Sequence, residues 1–301
     1  MFPEAVDELR AESADDGTVD DHGRVPHGST DDPWLLDFSA NTNPRMPDGV
    51  SRVYQSALAT ARRYPSDDYC AFRVAAAEVV DCEAHEVIPT AGGLATIRLT
   101  LQTTVQSGDS VLVPAPSFGE YAREIRLQGA EPTFVDYDAV LDADPVDHEL
   151  VVVCNPNNPT GECYDHDRLR AFAERCRDVG TTLLVDEAFL GFTDQPSLAG
   201  TPGVVVARSL TKLYGLPGLR AGYAVATGRH RDRLDTARIA WSLGGPAAAV
   251  GTHCLRDEAF VAATKERVRT ERERMRTQLS GRFRVYPSDA PFLLLELAAS
   301  D

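Results

Sequence analysis

The sequence predicts an α/β protein with a mainly parallel central sheet, helices on both faces of it, and a smaller C-terminal α+β domain. Three observations carry this. Apolar runs such as Leu150–Cys154 and Thr181–Val185 are uninterrupted, as strands buried on both faces must be. They alternate with stretches of helical spacing such as Cys70–Val80 and Asp165–Val179, the order of a parallel sheet. At 301 residues the chain exceeds one domain of typical size, ~100–150 residues.

The elements follow in chain order. Residues 1–50 form an N-terminal segment, of which residues 1–33 are polar and acidic and read as an arm, in part disordered. Ordered chain begins at Trp34. Helical spacing marks Val50–Ala61 and Cys70–Val80. Glu86–Thr90 reads as a strand, and Gly92-Gly93 opens a helix through Val105. Strand Ser110–Val113, helix Phe118–Gln128 and strand Pro132–Val135 come next. After Leu150–Cys154 come helix Asp165–Val179 and strands Thr181–Val185, Val204–Ala207 and Tyr223–Ala226. Residues 51–245 thus make the large domain. Beyond residue 245 the pattern changes. Glu258–Leu279 is a long helix whose interleaved Glu and Arg form a solvated face with i,i+4 pairs. Phe283–Tyr286 and Phe292–Leu297 are strands of the small domain, residues 246–301.

Charge narrows the function. The chain carries 46 acids against 30 bases, a formal charge of −16. This argues against nucleic acid as a partner, since that binding needs cations to displace counterions. No apolar run approaches the ~20 residues that cross a bilayer. The acidic N-terminus lacks the order of a signal peptide, so a cytoplasmic protein is expected, with no membrane partner. Of the 30 bases only two are Lys, Lys212 and Lys265. Many acids with almost no Lys fit adaptation to high salt, where screening reduces self-repulsion. Six Cys form no CxxC pair, so free thiols are expected and no metal site.

Three segments carry chemistry. Asn155-Pro156-Asn157-Asn158-Pro159-Thr160-Gly161 follows a buried strand, and its Pro and Gly make a rigid loop that aims Asn amides into a crevice. Read alone, it is also compatible with a structural turn. Leu184-Val185-Asp186-Glu187-Ala188-Phe189 ends a strand on an Asp, costly to bury without a cationic partner such as a protonated ring nitrogen. A helix cap or an ion pair is its bland alternative. Ser209-Leu210-Thr211-Lys212 holds one of the two lysines, ahead of Arg220. Lys forms a Schiff base and Arg does not. Lys265 lies in the Arg/Glu helix and reads as a surface cation.

In this order the three segments resemble the fold-type I pyridoxal-phosphate enzymes, the aspartate aminotransferase superfamily, from about Leu36 onward. The resemblance implies pyridoxal 5'-phosphate as cofactor. It implies that Lys212 holds the cofactor as a Schiff base and that Asp186 keeps the ring nitrogen protonated, so that the ring acts as an electron sink. Asn158 would bond the 3' oxygen, and Ser209 and Arg220 the phosphate. Gly92 and Gly93 open a helix whose N–H groups suit the same phosphate. Phe118 matches the aromatic that stacks on the ring. Tyr64 in Arg63-Tyr64-Pro65 matches a tyrosine that reaches the neighbouring subunit's cofactor phosphate. A homodimer with shared sites follows from that match.

Within the superfamily the chain is most similar to the threonine-phosphate decarboxylase and histidinol-phosphate aminotransferase branch. Asp37-Phe38-Ser39-Ala40-Asn41-Thr42-Asn43-Pro44, Asp68-Tyr69, Glu120-Tyr121 and Trp241-Ser242 carry this. His27 and Gly28 resemble a substrate-holding pair, with Asn41 and Asn158 alongside, so residues 1–50 also form the substrate entrance. Phe189 stands where the aminotransferase branch usually has Tyr, whose hydroxyl touches the 3' oxygen.

The resemblance implies decarboxylation of O-phospho-L-threonine to 1-aminopropan-2-ol phosphate for cobalamin. The alternatives are an aminotransferase such as that for histidinol phosphate, and an inactive cofactor-binding protein. There are three departures from the family pattern, and the last alternative rests on the third. Gly93-Leu94 replaces a polar turn, Ser29 replaces a second Gly, and the chain ends at Asp301. Relatives continue there with arginines that bind substrate, so the small domain is expected to be incomplete.

Overall fold

A computed structural model describes residues 1–16, 32, 34–35, 38 and 40–297. Its centre is a seven-stranded sheet of β1 (Val87–Thr90), β2 (Ser110–Ala115), β3 (Glu131–Asp136), β4 (Leu150–Cys154), β5 (Thr182–Asp186), β6 (Val204–Ser209) and β7 (Gly222–Ala226). The strand order is β1-β7-β6-β5-β4-β2-β3. All neighbours are parallel except β7, which runs antiparallel to both β1 and β6.

Period-two alternation gives the sheet its two buried faces. Val151, Val153, Leu183 and Val185 pack on one side with Phe72 of α3 (Cys70–Val80) and Phe172 of α6 (His166–Val179). Leu150, Val152, Cys154 and Leu184 pack on the other with Ile97 of α4 (Gly93–Thr104) and Ile125 of α5 (Glu120–Arg126). Every residue of β4 and β5 is buried, as their unbroken apolar runs require.

Five further helices are α1 (Pro3–Asp16), α2 (Val50–Leu58), α8 (Gly228–Ala237), α9 (Gly245–Leu255) and α10 (Glu258–Leu279). The short α7 (Leu210–Leu213) follows β6 directly. A two-stranded antiparallel ribbon, β8 (Arg284–Val285) with β9 (Leu295–Glu296), lies near the C-terminus and is shorter than the sequence suggests.

One expectation fails at the N-terminus. Pro3–Asp16 is helical rather than part of an unstructured arm. Its acids misled, because Glu, Ala, Leu and Arg are strong helix formers and Pro suits a first helical turn. The Phe2 amide donates to the Leu127 carbonyl at 3.1 Å, and Ala5 is buried. None of the helices among the described residues is long and apolar enough to cross a membrane.

Candidate active site

Parallel strands deliver their C-terminal ends to one edge, where ligands of such sheets bind. Asp186 ends β5, Asn155–Gly161 follows β4, and Ser209 ends β6. The reversed β7 sets Gly222 opposite Ser209 on one side and Thr90 on the other.

This register builds a cradle in which side chains have no room. A Cβ on Gly92 would lie 2.7 Å from Arg220 Nη2, and one on Gly93 would lie 3.3 Å from Ser209 Cβ. Gly92 has φ +95° and ψ 169°, a region essentially confined to glycine. A Cβ on Gly222 would lie 2.7 Å from the Gly92 backbone. The N-terminus of α4, Ser209 and the Arg220 guanidinium therefore converge, an arrangement suited to a phosphate. Thr90 and Thr96 brace the turn through hydroxyls 2.8 Å apart.

Lys212 projects from α7. Its Nζ donates to the Ala40 carbonyl at 2.6 Å, next to Asn41, and lies 5.7 Å from the centre of the Phe189 ring. Burial holds the Lys212 amine below the ordinary lysine range, Arg220 pushes the same way, and Asp186 opposes both. Asp186 is 7% exposed. Burial raises its carboxyl, against a hydrogen bond from Tyr121 and one from the Ala188 amide. Those bonds measure 2.6 Å to Oδ2 and 3.0 Å to Oδ1.

Phe118 meets Tyr121 edge-on at 5.5 Å. Asn158 is half-buried in the loop after β4. That loop is held by Asn157, whose Nδ2 donates to the Pro116 carbonyl and to Thr160 Oγ1, both at 3.1 Å. Tyr64 stands apart. It is 77% exposed and stacks on Trp241 with centroids 4.3 Å apart. His27 and Gly28 lie outside the described residues.

A lysine with a lowered pKa, a buried carboxylate and a glycine-lined cradle share one strand edge. The chain matches the family Aminotransferase class I and II over residues 35–301. It belongs to the class I and II aminotransferases. Members of this family are pyridoxal-phosphate enzymes, and the residues present fit that cofactor, since Gly92 and Gly93 let the backbone approach the Arg220 guanidinium and Ser209 without a Cβ between them.

This class I/II chain is 35% identical to threonine-phosphate decarboxylase of Salmonella typhimurium, over 89% of its own length and 78% of the relative. It is 31% identical to histidinol-phosphate aminotransferase of Halobacterium salinarum, over 86% and 76%. L-threonine-O-3-phosphate decarboxylase of Porphyromonas gingivalis superposes with a TM-score of 0.77 at 24% identity, covering 86% of this chain and 85% of that one. Histidinol-phosphate aminotransferase of Sinorhizobium meliloti, solved with pyridoxal-5'-phosphate, gives 0.80 at 20% identity, over 99% and 80%. These two share the fold.

Sequence reasoning missed several partners. Tyr121 belongs to the Glu120-Tyr121 pair, which by itself does not mark it as the donor to Asp186. Its place three residues after Phe118, at the start of α5, was the available signal. Asn43 is buried and ties its segment to α7, donating its backbone amide to the Lys212 carbonyl at 3.0 Å and its Nδ2 to the Leu213 carbonyl at 2.8 Å. The buried pair Glu187–Arg208, 3.0 Å apart, sits directly beside Asp186 and Ser209. Each of these pairs joins distant parts of the chain, so no local spacing announces them.

Proposed function

We propose that the chain decarboxylates O-phospho-L-threonine to 1-aminopropan-2-ol phosphate, a step of cobalamin synthesis, as a cytoplasmic homodimer. The observation that carries this reading is Phe189. Its ring is 3% exposed, packs edge-on against Phe292 at 5.1 Å, and lies under Lys212 Nζ with no hydroxyl to offer. The aminotransferase branch usually places a tyrosine hydroxyl there.

In this reading Lys212 would hold the cofactor covalently, and Asp186 would pair with its ring nitrogen. Phe118 would stack on the ring, and Asn158 would bond its 3' oxygen. Gly92, Gly93, Ser209 and Arg220 would take the phosphate, and Tyr64 would reach the phosphate of a second copy. Asn41, with His27, Gly28 and Asn158, would hold the substrate. The cofactor, when bound, supplies an electron sink for the bond broken at the substrate Cα.

The chain's residues select that bond. Residues that hold the substrate carboxylate in the reacting position would favour release of CO₂, whereas residues that hold the Cα proton there would favour transamination. Lys212 Nζ would be the group that delivers a proton to the substrate Cα after CO₂ leaves.

The test supplies O-phospho-L-threonine to the loaded enzyme in high salt and measures CO₂ and the amine product. CO₂ released in proportion to amine supports the lyase. The second reading, histidinol-phosphate aminotransferase, is favoured by the 31% identity to the Halobacterium salinarum enzyme. Consumption of histidinol phosphate with 2-oxoglutarate, without CO₂, would replace the first reading by the second. A chain that binds cofactor and turns over neither substrate is a binding protein.

A further inference from the structure

Two segments far apart in sequence form one platform beside the cradle. Asp67 accepts a forked pair of bonds from Arg238, at 2.8 and 2.9 Å, and a third bond from the Trp241 amide at 2.8 Å. The Arg238 side chain is 7% exposed and covers the Tyr69 ring. The Tyr69 hydroxyl donates to the Leu243 carbonyl at 2.7 Å and accepts from the Leu243 amide at 3.1 Å.

Ser242 Oγ reaches across to the Pro89 carbonyl at 2.9 Å, three residues before Gly92. Tyr69 and Trp241 have φ +47° and +53°, left-handed backbone that bulky residues adopt only where their surroundings over-determine it. Strain at both ends of one polar clamp marks a geometry held for a purpose.

The product of that clamp is the exposed Tyr64–Trp241 ring pair. Ser242, next to Trp241, and Arg220 of the cradle line one groove of about 800 Å3, together with Tyr54 and Ala91.

We infer that Asp67 is a positioning residue for cofactor retention. With Arg238 it locks the Trp241 turn, and Trp241 fixes the ring of Tyr64 at the angle at which a second copy's cofactor phosphate receives its hydroxyl. This rests on the reading of Tyr64 given above. The fork demands the planar guanidinium, so lysine at position 238 keeps the charge and loses the geometry.

The experiment uses the cofactor-loaded protein with Trp34→Phe, which leaves Trp241 as the sole tryptophan of the 301-residue sequence. Emission and acrylamide quenching of Trp241 report the ring pair, and equilibrium dialysis reports cofactor retention. Asp67→Asn is expected to red-shift the emission and raise quenching about twofold. It should weaken retention about tenfold, as Tyr64→Phe does, with the double variant no weaker than Tyr64→Phe alone, because both act through one contact. Arg238→Lys, which retains the buried cation should Asp67→Asn not fold, is expected to give the same pattern.

Unchanged Trp241 quenching in both variants would overturn the inference. So would losses that multiply in the double variant, since Asp67 would then act independently of Tyr64. Retention untouched by Tyr64→Phe overturns the underlying reading of Tyr64 instead, whatever Asp67→Asn does to Trp241.

Discussion

Tyr121 donates its hydroxyl to Asp186 Oδ2 at 2.6 Å, and the Tyr121 side chain is wholly buried. The bond joins the start of α5 to the end of β5. It also lowers an Asp186 carboxyl that burial has raised. Tyr121→Phe removes a hydrogen bond to a charged group, worth ~1.5–3 kcal/mol. Asp186 then protonates more readily. The acidic limb of the activity profile is expected to move to higher pH, and a pH–rate profile of kcat checks it. A limb that stays in place would mean that Tyr121 only packs.

Lys212 tests the electrostatics of the site without any substrate. Burial lowers its pKa below the ordinary 10.5, which favours the neutral, nucleophilic amine. The rate at which the apoprotein captures pyridoxal phosphate covalently should rise with pH through a midpoint below 10.5. Asp186→Asn removes a carboxylate that favours the charged amine, so the midpoint falls further. Stopped-flow absorbance across pH reads both. Lys212→Ala should abolish capture, leaving no cofactor fixed after borohydride reduction.

Gly92→Ala tests the cradle. The added methyl meets Arg220 Nη2 at 2.7 Å and sits on backbone with φ +95°. Such backbone costs a non-glycine residue of order 1–3 kcal/mol. The expected result is cofactor affinity weakened about tenfold or more, since each 1.4 kcal/mol is tenfold. Arg220→Ala in the same background should lose less than it does alone, because the two residues crowd one space. Dialysis against graded cofactor measures both.

Glu187 and Arg208 make a buried pair behind the site, with side chains 1% and 12% exposed. Ser197 Oγ and the Leu198 amide also donate to Glu187, at 2.7 and 2.9 Å. Glu187→Ala leaves Arg208 buried and uncompensated, which costs ~3–5 kcal/mol. Denaturant unfolding should show that loss, whereas Glu187→Gln should retain part of it. Equal stability in all three proteins would show that Arg208 finds another partner.

Much of the fold was legible because its signals are local. Leu150–Cys154, Cys70–Val80 and Glu258–Leu279 stand in the structure at the bounds their patterns predict. The strand runs are unbroken and the helices periodic, so few neighbours suffice to define them. α1 escaped because an acidic composition resembles disorder until the helix docks at Leu127. The reversal of β7 escaped because Tyr223–Ala226 reads alike in either direction. α8 and α9 also escaped, since their polar or small residues carry a weak pattern.

The sequence by itself determined the chemistry on offer. A lysine kept where arginine is otherwise used, an aspartate closing an apolar strand, and an asparagine loop between prolines are statements of residue type and short spacing. Only the tertiary structure decided which groups meet. Tyr121 on Asp186, Ala40 on Lys212 and Asp67 on Arg238 each join residues 65 or more positions apart. Such contacts depend on the path of the whole chain and on burial that makes each polar group seek a partner, and neither is encoded in a window of neighbouring residues.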